Sequence, residues 1–246
     1  MIISKGKIKK YSLLRQKKYR EKEGLFLVQG EKAVKDTIGR FDCKALIVKK
    51  NTDFPVPDEI KEVYEATEDD LRKISTLENT PNVIAVYRIP EKDESLEVES
   101  DEFHIVLDGV QDPGNLGTII RTAHWFGIKN IFCSKDTVDV YNPKVVLATM
   151  GSIAAVNVVY CDLNELFQQN STTPVYGLLL DGRNLFELEH VSPGFILMGS
   201  EGHGPREETL AAVTEKVTIP PANPTDSPDS LNVAIASAIT ISQFLK

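Results

Sequence analysis

Residues 103–127 read FHIVLDGVQDPGNLGTIIRTAHWFG. The run from Phe103 to Leu107 is strand-like. Asp112-Pro113-Gly114-Asn115 is a turn signal, and Gly114 or Asn115 then opens a helix running to about Phe126. A strand followed at once by a turn and a helix is the first half of a crossover unit, and the remainder of the chain repeats the pattern. Strand-like runs at Asn130–Cys133, Ala155–Val159, Val175–Leu180, Phe195–Met198 and Lys216–Ile219 are separated by helix candidates. This alternation predicts an α/β fold with a parallel sheet and crossover helices. Upstream, short apolar runs at Phe26–Val28, Ala45–Val48 and Val83–Tyr87 alternate with helical patterns at Glu31–Ile38 and Glu68–Ser75, which predicts a small α/β module. Between the two parts, RIPEKDESLEVESDE at 88–102 carries seven acids, two basic residues and one proline, and reads as a linker. The chain thus divides into a basic N-terminal arm or helix (1–22), a small α/β domain (23–90), an acidic linker (91–102) and a larger α/β domain (103–246).

With 246 residues, 41% hydrophobic and 26% charged, the chain can bury a sizeable core and is neither collagen-like nor mainly disordered. No apolar run approaches the roughly 18 to 20 residues of a membrane span, and the residues after Met1 form no signal-peptide core. The expectation is a cytoplasmic protein without a membrane partner. Cys43, Cys133 and Cys161 are far apart and lack metal-ligand spacing, so no disulfide scaffold and no metal site is expected. The net charge of −8 hides an asymmetry: nine basic residues and one acid in the first 22 carry +8, leaving −16 on the rest. Concentrated positive charge on an acidic protein is the footprint of a phosphate-binding segment; a solvated helix face is the plainer alternative.

Ligands of open α/β sheets bind beyond the carboxyl ends of the strands, so chemistry is expected in the loops after the apolar runs. In the first, Arg121 follows Asn115 by six residues, about 120° around a helix of 3.6 residues per turn, so the two converge only if Asn115 belongs to the turn. The second, GSEGHGPREE at 199–208, has glycines spaced G-x-x-G-x-G around Glu201, which suggests close backbone approach to a ligand. Its spacing is not the dinucleotide fingerprint, and no phosphate-loop motif occurs in the chain, which weighs against a Rossmann-type nucleotide enzyme. The third, PPANPTDSPDSLNV at 220–233, leads into an apolar helix over Leu231–Leu245 with one polar stripe at Ser237, Thr240 and Gln243. Ser230 or Asp229 fits its N-cap, and Asn232 stands in its first turn as an amide in need of partners. So apolar a helix is expected to be largely buried, in the core or across a dimer interface.

Together the three loops resemble the signature motifs of the SpoU (TrmH-like) RNA ribose 2′-O-methyltransferases of the SPOUT superfamily: DPGNLGTIIRTA at 112–123, MGSEGHG at 198–204 and IPPANPTDSPDSLNV at 219–233. Phe26–Val34, reading FLVQGEKAV, resembles the start of the ribosomal-protein-like substrate-binding domain that many members carry. The resemblance implies a deep trefoil knot in the C-terminal domain, S-adenosylmethionine as cofactor, a homodimer, and RNA as substrate, ribosomal (23S) rather than transfer RNA. It implies Arg121, Asn115, Glu201, Ser230 and Asn232 as catalytic positions and Met198, Gly199, Gly202, Ile219 and Leu231 as cofactor contacts. The third motif departs from the family in its longer proline-rich segment. A transfer-RNA methyltransferase and a non-catalytic RNA-binding module of the same fold are the alternatives; the joint presence of Asn115, Arg121, Glu201 and Asn232 disfavours the second.

Overall fold

A computed structural model describes residues 1–91 and 98–246, so most of the acidic linker, residues 92–97, lies outside the described residues. Backbone contacts divide the chain into two units: residues 1–92 with 139–154, and residues 93–138 with 155–246.

The first unit runs α1 (Lys5–Ser12), a 3-10 turn (Leu13–Arg15), α2 (Lys17–Glu23), β1 (Leu25–Gln29), α3 (Glu31–Thr37), β2 (Cys43–Lys49), β3 (Val63–Ala66), α4 (Glu68–Ile74) and β4 (Val83–Arg88). Its four strands lie in the order β1-β4-β2-β3, with β4 antiparallel to both neighbours and β2 parallel to β3. All of β1 is buried, as is β4 up to Tyr87. Burial of each large apolar side chain there contributes about 1.5–3 kcal/mol.

The basic segment is part of this unit's core rather than an extension from it. Ile3, Ile8, Tyr11 and Leu14 are buried in the same cluster as Leu25, Ile47 and Leu71. Five of its nine cations are bonded within the unit: Lys7 to Glu62, Lys10 to Glu23, Lys17 to Glu21, Arg15 to the carbonyls of Lys73, Ile74 and Ser75 at the end of α4, and Arg20 to Asp139.

The second unit contains β5 (His104–Asp108), α5 (Pro113–Trp125) and β6 (Asn130–Ser134). After α6 (Pro143–Thr149), whose segment belongs to the first unit, it continues with β7 (Asn157–Cys161), α7 (Leu163–Gln169), β8 (Val175–Asn184), β9 (Phe195–Gly199), α8 (Glu207–Leu210), β10 (Glu215–Thr218) and α9 (Val233–Phe244). Six strands in the order β10-β8-β9-β5-β6-β7 pair in parallel throughout, as the alternation predicted. β5, β6 and β9 are buried along their whole length, the mark of a sheet covered on both faces. Parallel pairing of β5 with β9 sets Asp108 beside Gly199, so the loops that follow leave the sheet side by side.

The N-cap expected for the last helix is corrected. α9 begins at Val233 with Asn232 as its N-cap, because the Asn232 side chain accepts from the backbone N–H of Ala234 and Ile235; Ser230 and Asp229 stay in the preceding loop. Most of the helix is buried or half-buried. Its polar stripe faces inward, with Ser237 and Thr240 buried beside Ala234, Ile241 and Phe244, whereas Ile235 is 52% exposed. Small hydroxyl residues allow this close approach: Ser237 Oγ bonds its own helix at the Val233 carbonyl and lies 2.6 Å from Met198 Sδ on β9.

Candidate active site

Asp108, the last residue of β5, is buried and anchors the first two loops together. Its Oδ2 accepts from the Arg206 backbone N–H at 2.8 Å and from Thr209 Oγ at 2.6 Å, while the Arg206 guanidinium stands 3.3 Å from Oδ1. The same guanidinium pairs with Asp136, whose other partner is Ser134 Oγ at the end of β6. Burial pushes the Asp136 carboxyl up, but the bonds from Ser134 and Arg206 outweigh it and hold the group below its ordinary range. Asp136 in turn holds Arg206 above the ordinary value for an arginine.

Beyond Asp108 the chain turns through Gly109, at φ +74°, and reaches the N-cap Asp112, which accepts from the Asn115 N–H at 2.8 Å. Pro113 follows at the first helical position, where its missing N–H costs nothing. Asn115 therefore lies in the first turn of α5 rather than in the loop. Leu116, Ile119, Ile120 and Ala123 bury one face of α5, and Arg121 and Trp125, one turn apart, are exposed on another, Trp125 at 85%.

The second loop closes on itself. Ser200 and Gly204 exchange two backbone hydrogen bonds, and a β-carbon on Gly199 would fall 1.9 Å from the Gly204 carbonyl carbon. Glycine at 199 is thus required by the loop's own fold, a nearer cause than the ligand approach inferred from spacing. Gly202 is different: it is exposed, and open space surrounds the position of its missing β-carbon.

The three loops meet at Asn115. Its Nδ2 donates to Glu201 Oε1 at 2.7 Å, and its Oδ1 accepts from Asn232 Nδ2 at 2.9 Å. The direction is fixed from one end. Asn232 Oδ1 is occupied by the two N–H groups of α9, so its amide must donate to Asn115, and Asn115 must in turn donate to Glu201. A carboxylate is the natural end of such a chain. One residue from each motif is thereby joined across 86 and 117 positions of sequence.

Of the expected site residues, the structure brings Asn115, Glu201 and Asn232 together. It does not join Arg121 or Ser230 to them. Arg121 lies about 9 Å farther along α5 and about 120° around it, and Ser230 is exposed in the third loop. Met198 is buried under α9, Gly199 is sealed beneath its own loop, and Ile219 and Leu231 flank the third loop, half-buried and exposed respectively. Gly202 leaves its backbone open, and Leu231 adds an exposed apolar side chain, chemistry that fits a partly apolar nucleoside rather than a metal. Among the described residues, no group of three or more His, Cys, Asp or Glu could hold a metal ion, and no helix is long and apolar enough to cross a membrane. Sequence reading missed Asp108, Asp136 and Arg206. A charged residue closing a buried strand, as Asp108 does, was the available signal.

The chain is similar to known RNA methyltransferases. The model of the SpoU rRNA Methylase family matches residues 102–242, and that of the MRM3-like substrate binding domain matches residues 5–85. The chain is 30% identical to a 23S rRNA (guanosine(2553)-2′-O)-methyltransferase, RlmP, of Bacillus subtilis, over 96% of this chain and 94% of that one. Among solved structures, a putative RNA methyltransferase of the TrmH family from Porphyromonas gingivalis superposes with a TM-score of 0.86 at 36% identity, covering 99% of this chain and 98% of that one. An AdoMet-bound rRNA methyltransferase from Sinorhizobium meliloti superposes at 0.83 with 27% identity, covering 97% and 94%.

Proposed function

The chain belongs to the SpoU rRNA methylase family, and we propose that it transfers the methyl group of S-adenosylmethionine to a ribose 2′-hydroxyl of 23S ribosomal RNA. The observation that carries this reading is Asn115, which ties the loops bearing Glu201 and Asn232 to the start of α5. Bound S-adenosylmethionine supplies a methyl group on a cationic sulfur, open to in-line displacement. Gly202, Ile219 and Leu231 are the residues proposed to touch it, with the exposed backbone at Gly202 supporting that assignment, and Met198 and Gly199, buried beneath, are proposed to hold the loop that does. Asn115, Glu201 and Asn232 keep the loops in register, and Ser230 lies in the loop they fix.

Arg121 is proposed to act on the RNA. A guanidinium with a pKa above about 12 is a poor base. It is well suited to hold the adjacent phosphate and hydroxyl by two hydrogen bonds and to stabilise the alkoxide as it forms. No ion pair or hydrogen bond occupies Arg121 within the described residues, so it is available for that task.

We further propose a homodimer through α5 and α9. Trp125, Leu231 and Ile235 are exposed apolar groups at 85%, 49% and 52% on or beside these two helices, which pack against each other. A trefoil knot is proposed for residues 103–246. In support, β10 lies at the sheet edge beyond β8, yet α9 returns to β9 and α5. Residues 23–90 are assigned as the ribosomal-protein-like domain that binds the RNA substrate, and 91–102 as the linker.

Mapping 2′-O-methylated nucleotides in total RNA from cells with and without the gene tests the reading. One 23S site is expected to disappear. An unchanged 23S map would contradict it. For the dimer, Ile235→Asp is expected to give monomers in sedimentation without loss of fold, and an unchanged mass would count against the α9 interface.

A further inference from the structure

Of the four cations of the basic segment that are not bonded within the unit, Lys9 lines one hollow with Lys5 and another with Lys22, and Lys18 lines neither. Among the described residues Lys5, Lys9 and Lys22 form no ion pair, and Lys18 rests on the Tyr19 ring at 4.8 Å. Two hollows border α1. The first, about 470 Å³, lies toward α4 and is lined by Lys5, Ile8, Lys9, Ser12, Asp70 and Lys73. The second, about 260 Å³, lies toward α2 and is lined by Lys9, Lys10, Tyr19, Lys22 and Glu23 among others. Lys9 borders both. Each hollow sets three ammonium groups against one carboxylate, and both carboxylates are already engaged. Asp70 accepts from the Thr67 hydroxyl and N–H and pairs with Lys73, and Glu23 pairs with Lys10.

This arrangement works against the helix that carries it. Lys5 and Lys9 are like charges at i,i+4, which destabilise a helix by a few tenths of a kcal/mol. The first turn of α1 has no acidic residue to complement the positive end of its dipole. Five cations of the segment are bonded within the unit, whereas Lys5, Lys9 and Lys22 form no ion pair among the described residues.

We propose that the two hollows on α1 take phosphates of the RNA backbone, with Lys9 shared between neighbouring contacts. The proposal rests on RNA being the substrate and adds the surface by which the first unit grips it. Ammonium groups are point charges and suit backbone phosphates rather than base edges. The surface therefore contributes affinity and leaves the choice of nucleotide to other residues.

The test compares two variants of the full chain carrying the same change in charge: Lys5→Gln/Lys9→Gln/Lys22→Gln, and Arg40→Gln/Lys50→Gln/Lys61→Gln elsewhere on the first unit. Binding to an in vitro transcript of 23S rRNA is measured across a range of salt, together with methyl transfer. Each phosphate contact contributes about 0.7 to 0.9 to the slope of log affinity against log salt. The α1 variant is expected to lose about two to three from that slope and at least tenfold in affinity. Its KM for RNA should rise, with kcat at saturating RNA and S-adenosylmethionine affinity unchanged; the control variant should stay near wild type. An unaltered slope in the α1 variant, or an equal loss in both variants, would overturn the proposal. A wild-type protein that binds the transcript but does not methylate it would refute the proposed activity while leaving this binding result intact.

Discussion

The basic N-terminal segment and the three-loop site differ in how much of their charge the fold takes up. In the segment, the sequence concentrates nine cations, and the fold takes up five of them: Arg20 is buried against Asp139, Arg15 caps α4, and Lys7, Lys10 and Lys17 pair with glutamates. In the site, Arg206 is likewise taken up, by Asp108 and Asp136, and Asn115 joins Glu201 and Asn232, while Arg121, the residue proposed to act on the RNA, has no partner among the described residues. A charge counted in the sequence therefore says little about function until its partners are known. The groups available for chemistry or binding are those the fold leaves over: Arg121 in one region, Lys5, Lys9 and Lys22 in the other.

Removing the unpaired cation from the site should have the largest effect. Arg121→Ala is expected to lower single-turnover methyl transfer by about two to four orders of magnitude, the range for losing a charge-stabilising group, while S-adenosylmethionine affinity stays within a few-fold. Arg121→Lys should rescue little, because a point charge cannot reproduce the planar two-donor geometry. Activity matching wild type in Arg121→Ala would make the arginine structural and erase the contrast between the regions.

The bonded cations should respond in stability instead. Arg20 donates to the carbonyls of Leu14 and Arg15 as well as to Asp139, and its side chain is only 3% exposed. Arg20→Ala leaves a carboxylate and two carbonyls without their donor, and is expected to cost the first unit about 3 to 5 kcal/mol in denaturant unfolding. A loss under 1 kcal/mol would show that the segment's bonds are incidental.

The smallest effect concerns pH. Bonds from Lys44, Lys7 and Tyr64 pull Glu62 down to about 2. Its contribution to stability is therefore complete above the unfolded value near 4.5 and is lost as pH falls toward 2. Glu62→Gln should lose less stability than wild type between pH 4.5 and 2, read from thermal midpoints; parallel curves would show that Glu62 does not report on the segment's pairing.

Much of this was legible in the sequence where local chemistry is decisive. Asp112 and Pro113 announce the start of α5 because an N-cap acceptor and a ring at the first helical position act on adjacent backbone. The strand runs stand out because a parallel sheet buried on both faces needs continuous apolar residues. What was not legible depends on distance. Nothing in the sequence near Asp139 indicates that residues 139–154 pack with the first unit, since the Arg20 bond spans 119 positions. The inward turn of Ser237 and Thr240 escaped for a related reason: hydropathy ranks hydroxyls as surface groups, whereas close contact of α9 with Met198 favours small side chains. Resemblance to the family put Asn115, Glu201 and Asn232 on one site, but the direction of their hydrogen bonds came only from seeing Asn232 cap α9.

That direction is the centre of the account, and exchanging its donor and acceptor tests it. Asn115→Asp sets two carboxylates against each other and removes the donor to Glu201, and should weaken S-adenosylmethionine binding about tenfold or more in calorimetry, the scale of a lost hydrogen bond to a charged group. Asn115→Asp combined with Glu201→Gln restores one amide and one carboxylate with their roles reversed, and leaves an acceptor for Asn232. The double variant is expected to recover affinity to within a few-fold of wild type. A double variant that binds no more tightly than Asn115→Asp alone would contradict the claim that Asn115 holds the three loops together by accepting from Asn232 and donating to Glu201.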